Sequence, residues 1–276
     1  MKLQASAGRA FIKMHGLRNH FVIVDGRTVP FRPPVAEIVR ICDPRVGVGG
    51  DQLVVLEPTG QDADLFMRLY NPTGQQAEAC GNATRCVAWL LMEESSTDHV
   101  RIETLAGVLD CRRIGDRLVS CDMGRVSMHW KDVPLSQERD TLNLDLTVGD
   151  LSDPAALNVG NPHAVFFVGD VDAIDLVALA PEVQRHPLFP ESVNVGIATL
   201  LSDSRLRLKV YERGAGLTEA CGSGACAAAF AARARGLTGA SHIVVEQPGG
   251  EVGIVLREDH HAVMSGPVAH CFHGTL

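Results

Sequence analysis

The chain has 276 residues, enough for about two domains of ordinary size that each bury a core. Its 33 acidic side chains outnumber 25 Lys and Arg, a net charge of −8, and the basic residues are scattered, which argues against nucleic acid and anionic membranes as partners. No apolar run approaches the roughly 20 residues of a membrane span, and the start MKLQASAGRAFIKMH, broken by Arg9 and Lys13, is a poor signal peptide, which leaves the cytoplasm as the default.

In chain order, FIKMHGLRNHFVIVD (residues 11–25) predicts a strand, a turn over Gly16 to Asn19 and a second strand. Residues 35–45 predict a helix, closed by CDPR. GVGGDQLVVLE then reads as a loop running into a strand, with Asp51 and Gln52 at the junction. The glycines Gly47, Gly49 and Gly50 do not make a phosphate loop, because no GK[ST] follows and they precede a strand rather than a helix.

Next come a β-type run at Arg68 to Asn71, the stretch EACGNATRC (78–86) and a helical AWLLM. Two strand-like runs follow around HVRIETLAG and RLVSCDMG. Residues 127–150, with Pro134 and SQERDTLN, read as the passage between two halves, with no low-complexity linker to hold them apart. The second half opens with LNVGNPHAVFFVGD, which parallels GLRNHFVIVDG in placing Asn, then His, then an alternating apolar run. A helix at about 174–184, a turn and strand in FPESVNVGIATLL, and a second Cys-bearing stretch, EACGSGACA (219–227), lead into helical AAFAARA. The strands IVVEQPGG, EVGIVLRE and HAVMSGPVAHCF close the chain.

The repeated Glu-Ala-Cys-Gly organises everything else. Cys80 and Cys221 stand 141 residues apart, and the only two tyrosines, Tyr70 and Tyr211, each lie ten residues ahead of one of them. Fixed-period similarity of this kind marks a supersecondary unit used twice. It predicts an α+β fold of two pseudo-symmetric halves, each a curved, mainly antiparallel sheet enclosing a central helix, with the active site in the cleft between them. The halves are residues 1–126, together with the tail 268–276, and residues 127–267.

Each cysteine falls at the start of a helix, where unpaired N–H groups and the macrodipole lower a thiol pKa. Two such sulfurs facing one another suit a racemase or epimerase, which removes a proton from one face of a carbon and delivers one to the other. One must then be thiolate and its partner thiol. The alternative is a pair of buried structural cysteines, since Cys packs as a small hydrophobe. Eight cysteines (42, 80, 86, 111, 121, 221, 226, 271) are too few for a disulfide framework in a chain this long. None forms a CxxC pair, so no metal site is predicted, and Cys86 and Cys226 are expected to face the core.

MHGLRNHF, GVGGDQL, YNPTG, ACGNATRC, GNPHAV, VNVG and VYERGAGLTEACGSGACA, in that order over nearly the whole chain, resemble the diaminopimelate epimerase family. The resemblance implies interconversion of LL- and meso-diaminopimelate for lysine and cell-wall synthesis, two pseudo-symmetric domains and a homodimer. It also implies a small-molecule substrate and no cofactor, and none of the four lysines has a recognisable pyridoxal phosphate setting. It makes Cys80 and Cys221 the two bases, with His163 and Glu212 tuning their ionisation. His163 alone could equally be a turn-stabilising residue after Pro162.

Gly81-Asn82 and Gly222-Ser223 match backbone donors to the reacting carboxylate, a role that suits two helix N-termini. Asn19, Gln52, Asn71, Asn161, Asn194, Glu212 and Arg213 match substrate contacts. Amides offer donor and acceptor to a zwitterion, and Arg213 could hold a far carboxylate in a fork. The family commonly reads GLGNDF where this chain has Arg18 and His20. A relative acting on another amino acid, such as proline or hydroxyproline, is the alternative. A non-catalytic or phenazine-pathway relative is a third reading, though such relatives generally lack the cysteine pair.

Overall fold

The structure, a computed structural model, describes residues 8–276. Residues 1–7, on which part of the signal-peptide reading falls, lie outside the described residues. The chain divides into two compact units, Met1–Val119 with Val268–Leu276, and Ser120–Pro267.

In the first unit, β1 (Ala10–Gly16) and β2 (Asn19–Asp25) form an antiparallel hairpin, and α1 (Val35–Cys42) carries the chain to β3 (Gln52–Glu57), parallel to β2. β4 (Leu65–Tyr70) runs antiparallel to β3, and the short β5 (Gln76–Ala77) folds back on its end. Then α2 (Gly81–Ser95) crosses to β6 (His99–Thr104), parallel to β4, and β7 (Gly107–Gly115) adds an antiparallel neighbour. The parallel pairs are the ones bridged by helices, because parallel strands need a long crossover.

The second unit repeats this order. β8 (Leu118–Arg125), within which the division between units falls, and a small hairpin of β9 (Thr147–Val148) and β10 (Leu151–Ser152) precede it. β11 (Ala155–Asn158) and β12 (Pro162–Phe167) make the hairpin. α3 (Leu176–Gln184) leads to β13 (Asn194–Ser202), parallel to β12, and β14 (Arg205–Glu212) follows antiparallel. After β15 (Gly216–Thr218), α4 (Gly222–Ala234) crosses to β16 (His242–Gln247), parallel to β14. β17 (Gly250–Leu256) and β18 (His261–Pro267) extend the antiparallel run, and β18 pairs with β8. The last strand, β19 (Ala269–Thr275), belongs to the first unit and runs antiparallel to β1.

The α+β class with a repeated unit is the architecture the sequence predicts. Two details differ. GVLDCRRIG is a strand of its own, so three strands follow α2 where two were expected. HAVMSGPVAHCF, expected as one strand, breaks between Pro267 and Ala269 because β18 and β19 serve different partners.

Both long helices are enclosed instead of one-sided. Residues 81–88 of α2 and 224–232 of α4 are buried without interruption, the pattern of a helix covered all round. The small side chains of GACAAAFAA let strands of the second unit approach α4 closely. Cys86 and Cys226 are fully buried inside these helices, as their positions predict. Beneath α1, Ile38 and Ile41 pack on Phe11, Val22, Val24, Leu53 and Val55. In the second unit Phe166, Val171, Leu176, Val183, Phe189, Val195 and Ile197 form the larger core.

The hairpin joining β1 to β2 has a two-residue loop, Leu17 and Arg18, with φ of 54° and 62°. Positive φ at both positions is the hand a tight hairpin turn requires, and it favours Gly or Asn over branched or long side chains. Arg18→Gly should therefore raise stability by about 0.5–1 kcal/mol, the relief of left-handed strain less the extra freedom of glycine in the unfolded chain. A urea midpoint that rises with an unchanged m-value checks this.

Candidate active site

Cys80 and Cys221 are the N-cap residues of α2 and α4, each extended, with φ of −151° and −122°. Their carbonyls accept the first helical hydrogen bonds, from Thr84 N at 2.9 Å and Ala225 N at 3.0 Å. The earlier N–H groups of a helix have no backbone acceptor within it. Gly81, Asn82, Gly222 and Ser223 thus supply the amides at the two positively polarised helix ends.

Around Cys80 the first unit gathers Asn19 and Asn82. Asn19 Oδ1 accepts from Cys80 Sγ at 3.7 Å and from Asn82 Nδ2 at 3.3 Å. Gln52 and Asn71 pair with each other, Gln52 Nε2 donating to Asn71 Oδ1 at 3.0 Å across β3 and the end of β4.

The surroundings of Cys221 are different. Its Sγ accepts from Gly224 N at 3.4 Å and lies 3.7 Å from Ser223 Oγ. Glycine at 224 permits the approach, since a Cβ there would sit 2.9 Å from Val210 Cγ2 and 3.2 Å from the sulfur. His163 Nε2 lies 3.0 Å from Ser223 Oγ and 2.9 Å from Asn161 Oδ1. Asn161, His163, Ser223 and Cys221 therefore form one linked group. With Asn161 presenting its carbonyl oxygen, Nε2 carries the hydrogen and the buried Nδ1 has no protein partner. Burial first, and the positive charge of Arg213 second, push the His163 pKa down to about 3, so the ring is neutral at ordinary pH.

Asn194 is buried and structural in its contacts. It donates to Pro162 O at 2.9 Å and accepts from Arg213 N at 2.9 Å. The exposed Arg213 donates from Nη1 to Glu191 O at 2.9 Å, and Glu212 accepts from Thr218 Oγ1 at 2.6 Å.

Strand register makes the two halves comparable residue by residue. His163 pairs with Asn194 as Phe21 pairs with Gln52, and Val195 with Tyr211 as Leu53 with Tyr70. Gln52 thus corresponds to Asn194, Asn71 to Glu212 and Asn82 to Ser223, whereas the position of His163 is held in the first half by Phe21.

Three polar residues at these sites escape the sequence reading. Gln247 Oε1 accepts from Cys221 N at 2.7 Å, and its buried Nε2 has no protein partner. The available signal was a polar residue in the inward phase of β16, after Ile243 and Val245. Arg85 is fully buried in α2, a charge inside an otherwise apolar helix. Asp51 stood out only as a junction residue, yet its carboxylate accepts from His20 N at 2.6 Å and Asn19 Nδ2 at 3.2 Å.

The duplicated α+β fold is shared with known structures. A hydroxyproline epimerase from Agrobacterium vitis superposes with a TM-score of 0.72 at 17% identity, covering 99% of this chain and 94% of that one. Sequence narrows the class further. The family model for diaminopimelate epimerase matches residues 11–129 and 155–271. Diaminopimelate epimerase from Phenylobacterium zucineum is 46% identical over 99% of this chain and 100% of its own, and that from Gluconobacter oxydans 48% identical over 96% and 98%. The chain belongs to the diaminopimelate epimerase family.

The neutral His163 ties stability to pH. Its folded pKa lies below the unfolded value, so its contribution is complete above about pH 6.5 and is lost as pH falls toward 3, where the unfolded chain binds the proton first. Between pH 7 and 5 the wild type should lose about 2 kcal/mol more stability than His163→Gln. Urea titrations of both proteins at the two pH values check the difference.

Proposed function

We propose that this protein is the isomerase that interconverts LL- and meso-diaminopimelate, with Cys80 and Cys221 as its two bases. The observation that carries the reading is the pair of N-cap cysteines on equivalent helices of a duplicated unit, in a chain of this family. One sulfur, as thiolate, takes the α proton from one face of the stereocentre. The other, as thiol, gives its proton to the opposite face, and the pair exchanges roles in the reverse direction.

Charge that develops on the substrate carboxylate as the α proton leaves needs donors already in place. The amides of Gly81 and Asn82 at one helix end, and of Gly222 and Ser223 at the other, would meet it. In this reading no cofactor takes part. His163, neutral and hydrogen-bonded to Ser223, and Glu212 set the polar surroundings of the sulfurs, while Asn19, Gln52, Asn71, Asn161, Asn194 and Arg213 hold the zwitterionic ends. Arg213 has a strongly donating, exposed guanidinium that suits a second carboxylate, which a proline-type substrate lacks.

The reading includes a cytoplasmic homodimer. Its supports are the family resemblance, eight cysteines that are all thiols rather than disulfides, as a reducing compartment would keep them, and the absence among the described residues of any helix long and apolar enough to cross a membrane.

Incubation with LL-diaminopimelate in D2O, followed by NMR of the α-proton signal, should show deuterium uptake and conversion to the meso form at catalytic enzyme concentrations. Cys80→Ala and Cys221→Ala should each reduce turnover by a factor of at least about 10³ while leaving the circular dichroism spectrum unchanged. Near-normal turnover in either variant would refute the two-base assignment.

A further inference from the structure

In the first unit, four side chains form a polar chain that ends in charges of opposite sign. Arg85 Nη2 donates to Asn82 Oδ1 at 2.7 Å, Asn82 Nδ2 to Asn19 Oδ1 at 3.3 Å, and Asn19 Nδ2 to Asp51 Oδ2 at 3.2 Å. The ends settle the direction of every link. A guanidinium can only donate and a carboxylate can only accept, so Asn82 must turn its oxygen to Arg85 and Asn19 must turn its nitrogen to Asp51. Neither amide can flip without setting donor against donor or acceptor against acceptor.

The chain is firmly mounted. Arg85 and Asn82 are buried in the first turns of α2. Asp51 is tied to the same hairpin end as Asn19, its carboxylate accepting from His20 N at 2.6 Å and its own N donating to His20 O at 2.8 Å. What remains of Asn19 is its oxygen, held where Cys80 Sγ donates to it at 3.7 Å.

We propose that Asp51 and Arg85 are positioning residues that lock the Asn19 amide with its oxygen toward Cys80, so that Cys80 rests as a hydrogen-bond-donating thiol. This deepens the two-thiol reading and rests on it. An acceptor oxygen favours S–H over S⁻, whereas the donor that Cys221 meets, Gly224 N, favours the thiolate. The resting proton is thereby biased toward Cys80, and the polar chain supplies the bias on that side. The same hairpin end carries Arg18 and two histidines, His15 and His20, whose rings lie 5.1 Å apart, and Asp51 also acts on Cys42, whose pKa burial first and Asp51 second push up to about 11. Burial, and secondarily His20, hold the His15 pKa below its ordinary value.

Site-resolved alkylation tests the proposal. The full-length protein without substrate is treated with iodoacetamide at pH 7, and mass spectrometry follows Cys80 and Cys221 separately. Asp51→Ala, which removes the acceptor end and leaves the Asn19 amide held only by its 3.3 Å link to Asn82, should speed Cys80 alkylation by about threefold or more, the change in thiolate fraction for half a pKa unit, with Cys221 unchanged. Asp51→Asn, which restores an acceptor oxygen without the charge, should bring Cys80 back to within about twofold of wild type. If Asp51→Ala does not fold, Asp51→Ser, too short to reach Asn19, takes its place.

A folded Ala or Ser variant with Cys80 at the wild-type rate would overturn the proposal. An equal rise at Cys221, or no rescue by Asn, would do the same. Alkylation is read without turnover, so its outcome is separate from the two-base test, which fails on a different result, continued epimerisation by Cys80→Ala.

Discussion

Everything in this protein's site depends on a sulfur placed at the N-cap of a helix that cannot move independently of its surroundings. The first N–H groups of a helix have no intrahelical acceptor, and their partial positive charge is useful only where it is aimed and kept from water. α2 and α4 meet both conditions through burial on all sides. The residues that follow each cysteine are Gly, Asn, Ala and Thr in one helix and Gly, Ser, Gly and Ala in the other, and they are small enough for strands to close around the helix end. A larger residue at 224 would push the sulfur away from the amide it now accepts from. Packing and chemistry are thus set by the same side chains.

Duplication accounts for the backbone and divergence for the chemistry. The parallel pairs β2/β3 and β12/β13 place Phe21 and His163 at equivalent positions, one apolar and one an imidazole held neutral by burial. Asn82 and Ser223 likewise stand two residues past equivalent cysteines, yet one belongs to a chain of amides and the other to a His-linked hydroxyl. Two identical environments would share a single proton equally between the sulfurs, whereas unlike neighbours bias where it rests. The repeat provides two helix ends, and the residues beside them are unlike.

The large features of the fold were legible because they rest on periodicity and repetition. EACG twice and two tyrosines in register were sufficient for an α+β duplication with a cysteine at each helix start, whereas the Asn-to-His parallel holds only at the asparagine, since Phe21 stands where the second half has His163. β7 was harder to separate, because GVLDCRRIG follows β6 after a two-residue turn and its outward face carries charges that read as loop. Among candidate site residues, those carried by a motif could be named from the sequence, and those on ordinary strand or helix positions could not. Gln247 continues the inward face of an alternating strand, and only its three-dimensional neighbour, Cys221 N, distinguishes it from a core misfit. Arg85 likewise gains its meaning from Asn82, three residues away on the same helix.

Some departures from local rules fall on or beside candidate site residues. Leu17 and Arg18 hold left-handed backbone beside Asn19, and Arg85 is a fully buried charge, an arrangement that costs several kcal/mol unless its donors are met. Buried polar atoms without a protein partner include His20 Nδ1, Gln52 Oε1, His163 Nδ1 and Gln247 Nε2, each on a residue of a candidate site or bonded to one. An unmet buried polar atom costs on the order of 1–3 kcal/mol, so a structural role alone would favour apolar substitutes at these positions. A ligand that brings both donors and acceptors removes that argument. Within the first unit Gln52 offers a lone pair, and within the second His163 offers a lone pair and Gln247 an N–H, so each unit keeps polar capacity that its own side chains do not use. The polarity of these positions is therefore a cost that packing within each unit does not offset.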